Sequence, residues 1–179
     1  MMHLQKAFVA LALALVVAAP AHAHGPTPQT VAETATIARA PADVWRAIAA
    51  FSAIDTWHPG IAAVEATGGN AIGAERRVTL RSGGVIVESL DEYDAAKRLY
   101  SYRLYQENIE AIPVSFYTAK IVVRPSAAGS EVEWSARFYR ADTGNYPPDH
   151  LNDTAAKTAM TTFLRAGLDA LSAKLGAGN

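Results

Sequence analysis

The chain has 179 residues, no cysteine, and 16 Lys and Arg against 17 Asp and Glu. The missing thiols exclude disulfides, thiolate metal sites and cysteine nucleophiles. Charges of both signs are interspersed without a basic run, which argues against nucleic acid as a partner, and the length suits one domain large enough to bury a core.

The first 23 residues read as an export signal rather than as part of the fold. Lys6 supplies positive charge, the run from Ala7 to Ala19 is apolar but short for a bilayer span, and Ala21-His22-Ala23 after Pro20 has the small-x-small pattern of a cleavage site. The expected mature chain begins at His24, and removing Lys6 leaves 15 basic residues against 17 acidic ones. It is expected to be periplasmic or secreted, without a membrane anchor. Residues 24–30, with two prolines and a glycine, suggest a flexible leader ahead of a domain over 31–176.

Weak alternation between Pro28 and Pro41 predicts a first strand over 31–38. A short helix follows, with Pro41 in its first turn, Asp43 complementing the dipole, and Val44, Ile48 and Phe51 on one face. After Trp57-His58-Pro59 the period changes to two, which predicts strands over 62–67, 75–81, 85–93, 99–105, 115–124 and 130–140. Glycine, serine and asparagine clusters separate them closely enough for an antiparallel meander. A long helix is predicted from about residue 149 to Gly176, with the stripe Met160, Leu164, Leu168, Leu171 and Leu175 turned to the core. Ala155, Ala156 and Ala159 make its first half slender, so a void between helix and sheet is expected there. The order predicts an α+β fold in which a curved antiparallel sheet of about seven strands wraps round the terminal helix.

Ala40-Pro41-Ala42-Asp43-Val44-Trp45, Trp57-His58-Pro59, Gly73 with Arg76-Arg77, Glu88-Ser89-Leu90, Tyr100-Ser101-Tyr102 and Gly129 to Trp134 occur in an order that resembles the START-like superfamily, in its polyketide cyclase/dehydrase and lipid-transport branch. The resemblance covers nearly all of residues 31–175 and is strongest to small exported members, among them an accessory protein of methanol oxidation. It implies a helix-grip fold with an internal apolar cavity. It does not imply one reaction.

Strand alternation then nominates the lining. Val132, Trp134, Ala136 and Phe138 share one face of the last strand, Tyr117, Ala119, Ile121 and Val123 one face of the strand before, and Tyr100, Tyr102 and Leu104 the face that leaves Arg103 outside. Trp57, Tyr100, Tyr102, Tyr117, Trp134 and Phe138 are therefore candidate ligand contacts, although ordinary core packing accounts for them equally well. Glu88 lies between Ile86 and Leu90. If those point inward, burial would move Glu88 toward the range of a general acid or base; if Val85, Val87 and Ser89 point inward, it is a solvated surface residue. Arg103 is its expected partner in either case.

His58 lacks the motif partners of a hydrolase or zinc site, and only His24 and His150 remain as co-ligands in the mature chain. A structural corner fits better: Pro59 ends the helical stretch, Trp57 plugs the end of the sheet as a wall of the cavity mouth, and His58 becomes a rim residue open to a ligand. Neither a metal nor a cofactor is expected. The glycines at 68–73 lack the lysine and helix of a phosphate loop, and Asn152-Asp153-Thr154 suits a helix start better than a glycan.

Three functions remain open. The leading expectation is an exported binding protein for a small apolar or amphipathic molecule. The others are a cyclase- or dehydratase-like enzyme using Glu88, and an accessory protein whose partner is a periplasmic dehydrogenase, contacted through 106–113 or 141–148.

Overall fold

A computed structural model describes residues 25–177; the expected export signal, its cleavage site and His24 lie outside the described residues. Strand β1 (Gln29–Ile37) forms one edge of the sheet and β2 (Ile61–Thr67) the other. Helix α1 (Pro41–Ile48) and a 3-10 segment over Phe51–Thr56 carry the chain between these two edges. From β2 the chain returns by short connections through β3 (Glu75–Leu80), β4 (Val85–Asp94), β5 (Leu99–Gln106), β6 (Val114–Ser126) and β7 (Gly129–Arg140), which pairs antiparallel with β1. The seven-stranded antiparallel sheet runs β1-β7-β6-β5-β4-β3-β2. Helix α2 (Asp153–Gly176) lies in its concavity, which makes the helix-grip architecture that the element order predicts.

Each element follows from local chemistry. Strand β7 alternates so that Val132, Trp134, Ala136 and Phe138 are buried while Glu133 and Arg137 face out. Pro41 opens α1 without sacrificing an internal hydrogen bond, and Val44, Trp45 and Ile48 form its buried face. Helix α2 starts later than predicted. A 3-10 turn at Asp149–Leu151 precedes it, and Asn152 is the N-cap, its side chain accepting from the Ala155 amide at 2.9 Å. Its 24 residues span about 36 Å at 1.5 Å each. Ala156, Met160, Leu164, Gly167, Leu168 and Leu171 are its buried stripe. No helix among the described residues is long and apolar enough to cross a membrane.

The hollow between sheet and helix is well filled. Trp134, Arg76, Tyr100, Tyr102, Phe51 and Phe138 are all fully buried there, and adjacent rings meet at centroid distances between 5.4 and 6.4 Å. The void expected between the first half of α2 and the sheet is therefore reduced to a space of about 10 Å³ beside Met160 and Leu164. Ala156 is fully buried, so the helix settles close to the sheet, and the space beside Ala159 opens sideways as a cleft.

Candidate functional site

The buried polar centre consists of residues on three strands. Arg76 on β3 and Glu88 on β4 are register partners, and both turn inward because they share parity with Val78 and Leu80 and with Ile86 and Leu90. Arg76 is 0% exposed and Glu88 3%. Arg76 Nε donates to one Glu88 oxygen, and the Tyr117 hydroxyl donates to the other. Arg76 Nη1 donates to the Phe51 carbonyl at 2.8 Å. The guanidinium is flanked by the rings of Phe51, 4.1 Å from its centre, and Tyr102, 4.6 Å away. Arg76 is thus an ion held by one carboxylate, one carbonyl and two aromatic rings.

Alternation left both faces of β4 open for Glu88; the side chain lies on the inner face, and its partner is Arg76 rather than the expected Arg103. Arg103 is on the outer face of β5 and meets Asp91 at 2.6 Å. It has the opposite parity to Tyr102, so it cannot reach into the hollow. Arg76 is the missed residue, and its signal was the alternation Arg76-x-Val78-x-Leu80. With both oxygens already accepting, Glu88 serves as a counter-charge and as an acceptor with lone pairs to spare; taking a substrate proton would require that substrate to share or displace the Tyr117 bond.

Burial raises the phenols around this centre. Tyr100 is pushed up to about 12, against the pull of the Arg76 charge. Tyr102 and Tyr117 are held well above the usual phenol range by burial and then by the negative charge of Glu88. Burial would lower Arg76, but Glu88 and the neighbouring phenols more than compensate, so it stays protonated. All three tyrosines therefore keep their hydroxyl protons at neutral pH. The Tyr102 hydroxyl accepts from Trp134 Nε1 at 3.1 Å and keeps its own hydrogen to donate.

His58 is 2% exposed and is not a rim side chain. The Gly60 amide donates to its Nδ1 at 3.0 Å, so the ring proton sits on Nε2, which donates to the Phe163 carbonyl at 2.9 Å. Burial, assisted by the charge of Arg76, pushes the imidazole down to about 4 against the raising effect of that carbonyl. It is a neutral tie between the corner after the 3-10 segment and helix α2. Phe163 stacks on it at 4.1 Å, and Trp134 meets it edge-on at 5.8 Å. No group of three His, Asp or Glu residues close enough to hold a metal occurs among the described residues.

Two spaces adjoin this centre. The outer one is an open cleft of about 330 Å³ between α2 and the segment before β6, lined by His58, Leu80, Ile112, Pro113, Ala159 and Phe163 among others. The inner one, about 10 Å³, is bounded by Glu88, Tyr102, Tyr117, Ile112, Met160, Phe163 and Leu164. Ile112 and Phe163 line both and form the partition between them. Of the residues nominated from sequence, Glu88, Tyr102 and Tyr117 line the inner space and His58 the outer. Trp57, Tyr100, Trp134 and Phe138 are buried but border neither. Ile112, Met160 and Phe163 were not nominated: Ile112 sits in the irregular segment before β6, and Phe163 is off the main apolar stripe of α2.

Comparison with known proteins agrees with this architecture. Protein XoxI from Bacillus cereus is 26% identical, with a TM-score of 0.66 over 83% of this chain and 94% of that one. A protein of Thermobifida fusca solved by NMR is 27% identical, with a TM-score of 0.65 over 83% and 93%. Norcoclaurine synthase from Thalictrum flavum, 17% identical with a TM-score of 0.65 over 98% and 99%, shares the fold. No curated protein matches the sequence significantly. Residues 28–176 match the family described as polyketide cyclase/dehydrase and lipid transport, and the chain belongs to that family.

Proposed function

We propose that the protein binds a small apolar or amphipathic molecule in the cleft between the first half of α2 and the segment leading into β6. Proteins of this fold generally take small apolar ligands between sheet and helix. The observation that carries the reading here is the cleft itself. A volume of about 330 Å³ lies at the low end of small-molecule sites, and its walls of Leu80, Ile112, Pro113, Ala159, Phe163 and Ala166 lead toward a few convergent polar groups. The leader-like residues 1–23 support a site of action outside the cytoplasm, which the mass of the mature protein recovered from its host tests directly.

A panel of alkylbenzenes, phenols and fatty alcohols should contain at least one class that raises the melting temperature in proportion to the logarithm of its concentration. Ala159→Phe, which places a ring at the cleft wall, should abolish that shift while leaving the circular dichroism spectrum unchanged. A panel without any shift, or a shift untouched by Ala159→Phe, rejects the cleft as the site.

A second reading, the accessory role implied by the sequence resemblance, is favoured by one surface. Tyr105 and Phe116 are 65% and 68% exposed and line a common groove with Leu104, Gln106 and Glu107. Paired exposed aromatics of this kind are typical of protein contacts rather than of solvated sheet. Recovery of the same periplasmic enzyme with the native chain but not with a Tyr105→Ser, Phe116→Ser variant would establish this role.

A further inference from the structure

The inner space has a size, a charge and a set of hydrogen-bonding groups that together select one chemical group. Its volume of about 10 Å³ admits about one oxygen atom. Tyr102 offers it a donor, because that hydroxyl accepts from Trp134 and has its hydrogen left to give. Glu88 and the Tyr117 oxygen offer acceptors, since each has lone pairs beyond the bonds from Arg76 and Tyr117. A group placed between them must accept one hydrogen bond, donate another and carry no charge.

We propose that the ligand of the cleft carries a neutral hydroxyl, phenolic or alcoholic, which enters this inner space and bridges Tyr102 to the Glu88–Tyr117 pair. The inference rests on the cleft being the ligand site. A carboxylate is too large for the space and would meet the negative charge of Glu88. An ammonium has no lone pair for the Tyr102 hydrogen and would sit near the buried positive charge of Arg76. A ketone oxygen accepts from Tyr102 but turns its remaining lone pair toward a carboxylate. A hydrocarbon leaves the donor and the acceptors unpaired, and burying them against carbon is unfavourable. Of these groups, only the hydroxyl satisfies both sides.

The path is short. Ile112 and Phe163 are the sole residues common to both linings. Phe163 is half-buried, and its ring rests on His58 at 4.1 Å. Rotation of that ring off the imidazole joins the two spaces, so the ligand's apolar body fills the cleft while its hydroxyl passes the partition.

Calorimetric titration of the full protein with 4-propylphenol, propylbenzene and 4-propylbenzoate tests the idea, because the three share one apolar body. The phenol should bind about tenfold or more tightly than the hydrocarbon, as expected for one to two buried hydrogen bonds, and the benzoate weakest of all. In Tyr102→Phe the ratio of phenol to hydrocarbon affinity should fall to near one. Equal affinity for phenol and hydrocarbon in the native protein overturns the hydroxyl proposal and leaves the cleft reading standing; so does a preference that survives Tyr102→Phe. If none of the three binds, the hydroxyl proposal falls, and the cleft reading falls as well when the wider panel of alkylbenzenes, phenols and fatty alcohols also gives no shift. Since Tyr102→Phe also deprives Trp134 of its acceptor and can unfold the chain, the comparison among the three compounds in the native protein decides the matter alone.

Discussion

Arg76 and Glu88 face one another across β3 and β4 as register partners, and Glu88 is the only carboxylate that reaches the fully buried guanidinium among the described residues. Glu88→Gln leaves Arg76 charged, buried and without a counter-ion. Breaking a buried pair on one side costs about 3–5 kcal/mol, whereas replacing both members by apolar residues of similar volume is often neutral. Urea unfolding should therefore show a severe loss for Glu88→Gln and recovery of most of it in an Arg76→Met, Glu88→Leu double variant. Equal losses in the single and double variants would show that the two side chains do not act as a pair.

The tie formed by His58 makes stability depend on pH. Its ordinary value of 6.5 applies to the unfolded chain, and in the folded protein it lies at about 4. Between these values the unfolded chain binds the extra proton, so stability is full above pH 6.5, declines as the pH falls toward 4, and loses nothing further from this group below that. The contribution is on the order of 3 kcal/mol at 1.36 kcal/mol per pKa unit. Unfolding free energies of the native protein and His58→Gln should differ most at pH 7 and converge toward pH 4. A difference that is the same at both pH values would remove His58 as the cause.

How far these features were legible in the sequence depends on whether local periodicity determines them. The seven strands, both helices and the inward direction of Tyr102, Tyr117, Trp134 and Phe138 follow from alternation and helical spacing, which short-range chemistry sets. Arg76 escaped although it shares parity with Val78 and Leu80, because arginine is so seldom fully buried. His58 was recognised as part of a corner, yet its burial depends on the Phe163 carbonyl, which only the docking of α2 supplies. The small inner volume was not legible either. It is set by how Met160, Phe163 and Leu164 of α2 meet Glu88, Tyr102, Tyr117 and Ile112, and no strand or helix pattern records that.

Gly167 lets α2 lie against the His58 and Trp134 rings. A Cβ there would be 2.5 Å from His58 Cδ2 and 2.7 Å from Trp134 Cζ3. Alanine gains about 1 kcal/mol of helix propensity over glycine, but neither ring is free to retreat: His58 is held by two hydrogen bonds and Trp134 by the Tyr102 hydroxyl. Overpacking costs about 1–3 kcal/mol, so Gly167→Ala should lower the melting temperature despite the better helix former. A rise would show that the helix can shift outward without penalty.

Phe116 has φ of +48°, at the irregularity between Ser115 and Thr118 in β6, while its ring is 68% exposed. A left-handed backbone costs a residue with a side chain about 1–2 kcal/mol, and a mostly exposed ring returns little of this by burial. Glycine would relieve the strain but lose about 0.5–1 kcal/mol through the greater freedom of the unfolded chain. The balance favours Phe116→Gly by up to about 1 kcal/mol, so chemical denaturation should show unchanged or slightly raised stability. A loss above that size would mean the ring supports the sheet. The expected result separates the ring from the fold, and it makes Phe116→Gly the cleaner variant for testing whether the Tyr105–Phe116 groove makes the proposed protein contact.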